Sequence, residues 1–125
     1  MEFELGRNYP RKDISEKLGG SFRIALPVAG EMVVCGCFNK APRWNPGAPD
    51  EVTLGEKPRV HAAARKLSEQ GGSIPLFLFK ENTAWEYIGD YCCTGYSIDG
   101  QVCQQKMKEN PNRGVIGGVL YFEKA

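Results

Sequence analysis

The sequence predicts an α+β domain: a strongly curved mixed or antiparallel sheet, partly closed into a barrel and flanked by short helices. Short strand-like runs recur from residue 22 to the end of the chain, and only two segments carry a helical stripe. No βαβ unit repeats along the chain, which argues against a doubly wound parallel sheet. With 125 residues, 42% hydrophobic and 25% charged, the chain has the size and composition of one domain spanning 1–125.

The first helix is expected within residues 9–20, where Pro10 suits the opening position, Ile14 and Leu18 share a face, and Gly19 supplies the stop. Two strands, 22–26 and 32–38, then form a hairpin across residues 27–30, with Pro27 and Gly30 marking the turn. Residues 39–58 hold four of the eight prolines and no periodicity, a long irregular connection of the kind that is usually functional or disordered. A second helix is expected over residues 58–70. Val60, Ala63, Ala64 and Leu67 form its apolar stripe, Pro58 opens it, and Gly71 and Gly72 close it.

Residues 74–80 read as a buried strand, Asn82 and Thr83 as a turn, and residues 85–94 as the hairpin partner. On that partner Trp85, Tyr87, Gly89 and Tyr91 are expected to share one face. Residues 99–113 are polar with no assigned element, residues 110–114 (Asn-Pro-Asn-Arg-Gly) read as a turn or mobile loop, and 115–123 as the final strand.

Sixteen basic residues against fifteen acidic leave a net charge of +1, too little to hold nucleic acid by charge alone. No apolar run approaches the roughly 18 residues a membrane span needs, and the opening Met1-Glu2-Phe3-Glu4 is acidic where a signal peptide is basic. An intracellular location, cytoplasmic or nuclear, is therefore expected, with no membrane partner. The five cysteines are expected to be reduced core thiols. Neither Cys35/Cys37 nor Cys92/Cys93 has the spacing of a zinc knuckle, so neither metal nor cofactor is expected.

No catalytic residue is assigned. His61 is the single histidine and reads as an ordinary surface residue on the polar flank of its helix, and no nucleophile, phosphate-loop or metalloprotease motif is present. The aromatic set says more. Trp44 sits in a Pro-Gly loop among basic residues, and Trp85, Tyr87, Tyr91 and Tyr96 lie on a segment that a curved sheet could bring near it. A planar base needs stacking on its faces and polar groups on its edge. Trp44 is the expected stacking residue unless it plugs the core, with Asn45 or Asp90 on the edge and Trp85, Tyr87 and Tyr91 as further wall unless they line the core face of their strand. Arg11, Lys12, Arg23, Lys57 and Arg59 are the expected phosphate contacts.

Residues 9–14 (Tyr-Pro-Arg-Lys-Asp-Ile) with Gly19-Gly20 resemble the opening of SRA-like domains found beside HNH endonucleases. A comparable tyrosine, basic pair and Asp-Ile also open a C-terminal domain of some restriction-type helicases. Residues 85–91 (Trp-Glu-Tyr-Ile-Gly-Asp-Tyr) resemble the strand on which those domains carry an aromatic, an aliphatic, a glycine and an acidic residue. Gly19-Gly-Ser21 and residues 44–49 (Trp-Asn-Pro-Gly-Ala-Pro) are similar to an uncharacterised fungal domain.

The resemblance implies a PUA/SRA-like barrel that reads a modified or flipped base in DNA, in a restriction or defence setting, with any cutting left to a nuclease or helicase partner. It departs at residues 49–59, where a Gly-rich loop leading to Gly-Asn-Arg is replaced and only Arg59 and a nearby glycine correspond. An RNA-binding PUA-like module and a protein-interaction or small-ligand sensor remain as alternatives.

Overall fold

The computed structural model describes residues 3–125, so Met1 and Glu2 of the acidic opening lie outside it. Its core is a mixed six-stranded sheet joined by three helices. Strand β1 (Asn8–Tyr9) leads into helix α1 (Arg11–Leu18), which buries Ile14 and ends at Gly19 with φ 87°. A small separate hairpin follows, β2 (Val28–Ala29) with β3 (Met32–Val33), turned at Gly30. Both hydrogen-bonding groups of Val33 are taken by the Gln70 side chain, each at 2.9 Å. The main sheet then collects β4 (Gly36–Phe38) and β5 (Glu51–Leu54), α2 (Pro58–Gln70), β6 (Ser73–Glu81), β7 (Ala84–Ser97), α3 (Gly100–Glu109) and β8 (Gly118–Lys124).

The strands run in the order β4-β6-β7-β8-β5, with β1 added beside β7. Only β4 and β6 are parallel; the other pairs are antiparallel. At fourteen residues β7 is long enough to serve two neighbours on one edge, β1 at residues 85–86 and β8 at residues 91–97. Phe38 of β4 and Phe122 of β8 lie 5.8 Å apart between ring centroids. A flat sheet would hold those strands three spacings, or ~14 Å, apart. The sheet therefore coils around a shared core of Phe38, Val52, Leu54, Leu76, Leu120 and Phe122, and α2 closes that core with Ala63, Ala64 and Leu67. The end strands β4 and β5 are not paired with each other.

Four expectations need correction. The strand over residues 22–26 is absent: Arg11 Nη2 donates to the carbonyls of Ser21 (3.2 Å) and Ile24 (2.6 Å), taking acceptors that a strand would offer its neighbour. The connection over residues 39–58 contains β5, whose Val52, Thr53 and Leu54 are buried against β8. The polar stretch after Asp99 is helix α3, capped by Asp99 Oδ1, which accepts from the amides of Gln101 (2.9 Å) and Val102 (3.1 Å).

The fourth correction concerns the aromatic face of β7. Leu76 pairs with Gly89 but Phe77 with Tyr87, so Ile88 is an extra residue, a bulge accommodated by buried Gly89 at φ 116°. The bulge flips the alternation. Trp85 and Tyr87 join a smaller cluster around Ile14, Cys35, Cys37 and Phe77, while Tyr91 packs on the opposite face against the main core. No helix among the described residues is long and apolar enough to cross a membrane.

Candidate functional site

The connection before β5 is folded rather than loose. Trp44 N donates to Ala41 O, Asn45 N to Asn39 O and Ala48 N to Asn45 O, at 2.8, 2.9 and 3.1 Å. The residue this segment drives into the core is Ala48, 2% exposed. Trp44 remains 43% exposed. It is not a plug. Its indole lies beside two guanidinium groups, Arg43 at 5.3 Å and Arg113 at 5.8 Å from the ring centroid.

Thr53 holds this platform in place. Its amide and hydroxyl both donate to Asn45 Oδ1, at 2.6 and 2.8 Å, and the same hydroxyl accepts from Arg113 Nε at 2.9 Å. Arg113 Nη2 also reaches the Thr53 carbonyl at 3.3 Å. Burial lowers the guanidinium pKa of Arg113, since a desolvated cation is disfavoured. Asn45 thus has its carbonyl committed to the scaffold, leaving the amide nitrogen as its only group for a ligand.

Trp44 and Asn45 line a groove of about 470 Å³. Trp85 and Phe79, whose rings meet edge to face at 5.2 Å, line it too, with the Arg11 guanidinium 5.3 Å from the Trp85 ring. The irregular segment adds Phe22 and Arg23, with Arg23 5.3 Å from the Phe22 ring. Cys37 and Phe38 also line the groove. Among the described residues no aspartate or glutamate lines it, and none of Arg11, Arg23, Arg43 and Arg113 is in an ion pair. Arg11 Nε is buried and has no hydrogen-bond partner there.

The structure therefore brings five of the expected residues together: Trp44, Asn45, Trp85, Arg11 and Arg23. The others stand elsewhere. Tyr87 donates from its hydroxyl to Asp90 Oδ1 at 2.7 Å, so the two engage each other. Burial, aided by that bond, pushes the Tyr87 hydroxyl up to about 12. Tyr91 faces the main core, and Lys12 is exposed on α1. Lys57 and Arg59 line a second groove beside α2. The sequence pattern does not single out Arg43, Arg113, Phe22 or Phe79. Arg43 adjoins Trp44 and is within reach of the same reasoning, whereas Arg113 arrives from 60 positions beyond Thr53.

His61 also departs from expectation. It is half-buried: Nε2 donates to the Gly55 carbonyl at 2.7 Å, and Nδ1 meets the Tyr96 hydroxyl at 2.5 Å. A carbonyl only accepts, so Nε2 carries the proton and Nδ1 accepts from Tyr96 in the neutral ring. The histidine joins α2 to β7 through Tyr96, and among the described residues no serine, threonine or cysteine is bonded to it. All five cysteines are free, with Cys35, Cys37 and Cys103 buried. The neighbouring Cys37 thiol lowers the Cys35 thiol pKa, while Cys35 and burial raise Cys37 well above the usual thiol value. Among the described residues no three His, Cys, Asp or Glu side chains gather as a metal site. No family model, curated protein or solved structure matches the chain.

Proposed function

We propose that the groove between Trp44 and Trp85 is a recognition site for an unstacked nucleobase, and that the chain is a non-catalytic reader of modified or flipped bases in DNA. One observation carries the reading: a half-exposed indole and a second tryptophan share a groove lined by Arg11 and Arg23 and, among the described residues, by no carboxylate, with Arg43 and Arg113 beside the indole. Stacking answers the faces of a base, and arginine answers phosphate bidentately or a base edge in plane. Trp44 is the stacking surface, Asn45 offers its amide nitrogen to a base carbonyl or ring nitrogen, and Arg11, Arg23, Arg43 and Arg113 take the phosphates.

The coiling that sets Phe38 against Phe122 supports the finer expectation of a PUA/SRA-like half-closed barrel. The module recognises, and cutting belongs to a nuclease or helicase partner. The near-neutral chain gives weak non-specific attraction to duplex, so selectivity rests on the groove. Filter binding with modified duplex, unmodified duplex and single-stranded DNA and RNA tests this. Preference for modified duplex or single-stranded DNA, lost in Trp44→Ala, is the expected result. Absence of binding to every nucleic acid overturns the reading, and preference for RNA moves it to the RNA-binding alternative.

A further inference from the structure

The irregular segment that walls the aromatic groove also walls a larger one on its other side. Ile24 and Ala25 line both. The second groove, of about 790 Å³, lies between this segment and α2. Leu26 and Val28 continue its first wall, and Val60 and Ala63 form its second. No aromatic side chain lines it, and Ser21 is its single neutral polar side chain. Its size falls within the ~300–1,000 Å³ usual for small-molecule sites.

Among the described residues the rim has one sign of charge: Lys57, Arg59 and Lys66 line the groove, no aspartate or glutamate does, and none of the three is in an ion pair. Helix α2 opens at the same rim with no capping side chain and no acidic residue in its first turn, so its N-terminal dipole adds to the positive field. Aliphatic walls without edge-reading polar groups suit an alkyl chain and give a planar base nothing to bind.

We propose that this groove binds a free single-chain aliphatic amphiphile with an anionic headgroup, the chain along Ile24, Leu26, Val60 and Ala63 and the headgroup among Lys57, Arg59 and Lys66. The site is separate from nucleobase recognition and stands or falls without it. Its wall is fixed by Arg11, which holds the Ser21 and Ile24 carbonyls, so the groove is formed before any ligand arrives.

Calorimetric titration of the full chain with hexanoate, octanoate and decanoate, each below its micelle concentration, tests the proposal. Affinity rises two- to fourfold per added methylene, fourfold being about the value for full burial. Decanoate binds at least fivefold more tightly than decyltrimethylammonium, and Lys57→Glu with Lys66→Glu removes that preference. Ala62→Trp, placed at the groove lining, blocks decanoate while keeping the native melting temperature and native oligonucleotide binding. If Ala62→Trp fails to fold, the charge-reversed double variant carries the test alone. A flat chain-length series, equal binding of the cationic amphiphile, or capture of anionic phospholipid vesicles or an acidic peptide without decanoate binding overturns the assignment.

Discussion

Thr53 and Asn45 are joined twice over: one side-chain oxygen of Asn45 accepts from both the amide and the hydroxyl of Thr53. The Thr53 hydroxyl accepts in turn from Arg113, so residues flanking Trp44 in space are locked onto β5 through one threonine. The platform is rigid without a ligand, which reduces the ordering cost of binding. Thr53→Val keeps the shape and removes the hydroxyl. Arg113 Nε then loses that partner, and a loss of about 1–3 kcal/mol in stability is expected. Denaturant unfolding measures it, and oligonucleotide affinity falls with it as the Trp44 neighbours loosen. Native stability in Thr53→Val defeats the idea of a locked platform.

Trp44→Ala separates platform from plug. Removal of one base–aromatic stack weakens nucleic-acid binding by roughly 1–3 kcal/mol. Stability stays near native, because Trp44 is 43% exposed and the segment is anchored by Ala48. Truncating a buried tryptophan costs about 3–5 kcal/mol, so the melting temperature distinguishes the roles. Unchanged affinity with a large loss of stability removes Trp44 from the proposed site.

What was legible in the sequence follows from how local each signal is. Helix α2 carries its proline start, glycine stop and apolar stripe within its own residues, and its bounds match the expected ones. The β6–β7 hairpin was equally plain, and both strands run further than their apolar cores suggested. The 22–26 segment has strand composition, but a guanidinium from α1 takes its carbonyls, a long-range competitor invisible in a local pattern. Four-residue β5 is hidden between prolines, and its place beside β8 is decided from the far end of the chain. Helix α3 was findable: Asp99 is a good N-cap, and Val102, Cys103 and Met107 make a short stripe. The bulge at Ile88 explains the misplaced Tyr91, because one extra residue exchanges the two faces of a strand.

Alkaline stability reports on Tyr87. Its hydroxyl is pushed up to about 12 in the folded chain by burial and by Asp90. A group whose folded value is raised favours the folded state while protonated. That contribution is complete below the ordinary value near 10 and is lost as pH rises from there through about 12. Tyr87→Phe is expected to show a shallower loss of stability across this window, and its absorbance titration lacks one late-ionising phenol. Tyr96, also raised by burial, keeps the remaining late component. Identical alkaline unfolding of native and variant chains contradicts the assignment.

Arg11 separates charge from geometry. Its guanidinium reaches the Ser21 and Ile24 carbonyls and lies 5.3 Å from the Trp85 ring, so it both fixes the wall shared by the grooves and faces the aromatic groove. Lysine retains the charge but lacks the planar group that lies by the Trp85 ring while its Nη2 reaches both carbonyls. Arg11→Lys is therefore expected to lower stability by about 1–2 kcal/mol, the worth of one or two such bonds. It weakens oligonucleotide binding while leaving the slope of log affinity against log salt unchanged. Arg11→Gln removes the charge as well, and in duplex DNA the slope falls by about 0.9 for each phosphate that the variant no longer neutralises. A slope that falls equally in both variants shows that the wall, once loosened, releases other phosphates too. A slope that falls in neither places Arg11 in the scaffold alone, with Arg23, Arg43 and Arg113 left to hold the phosphates.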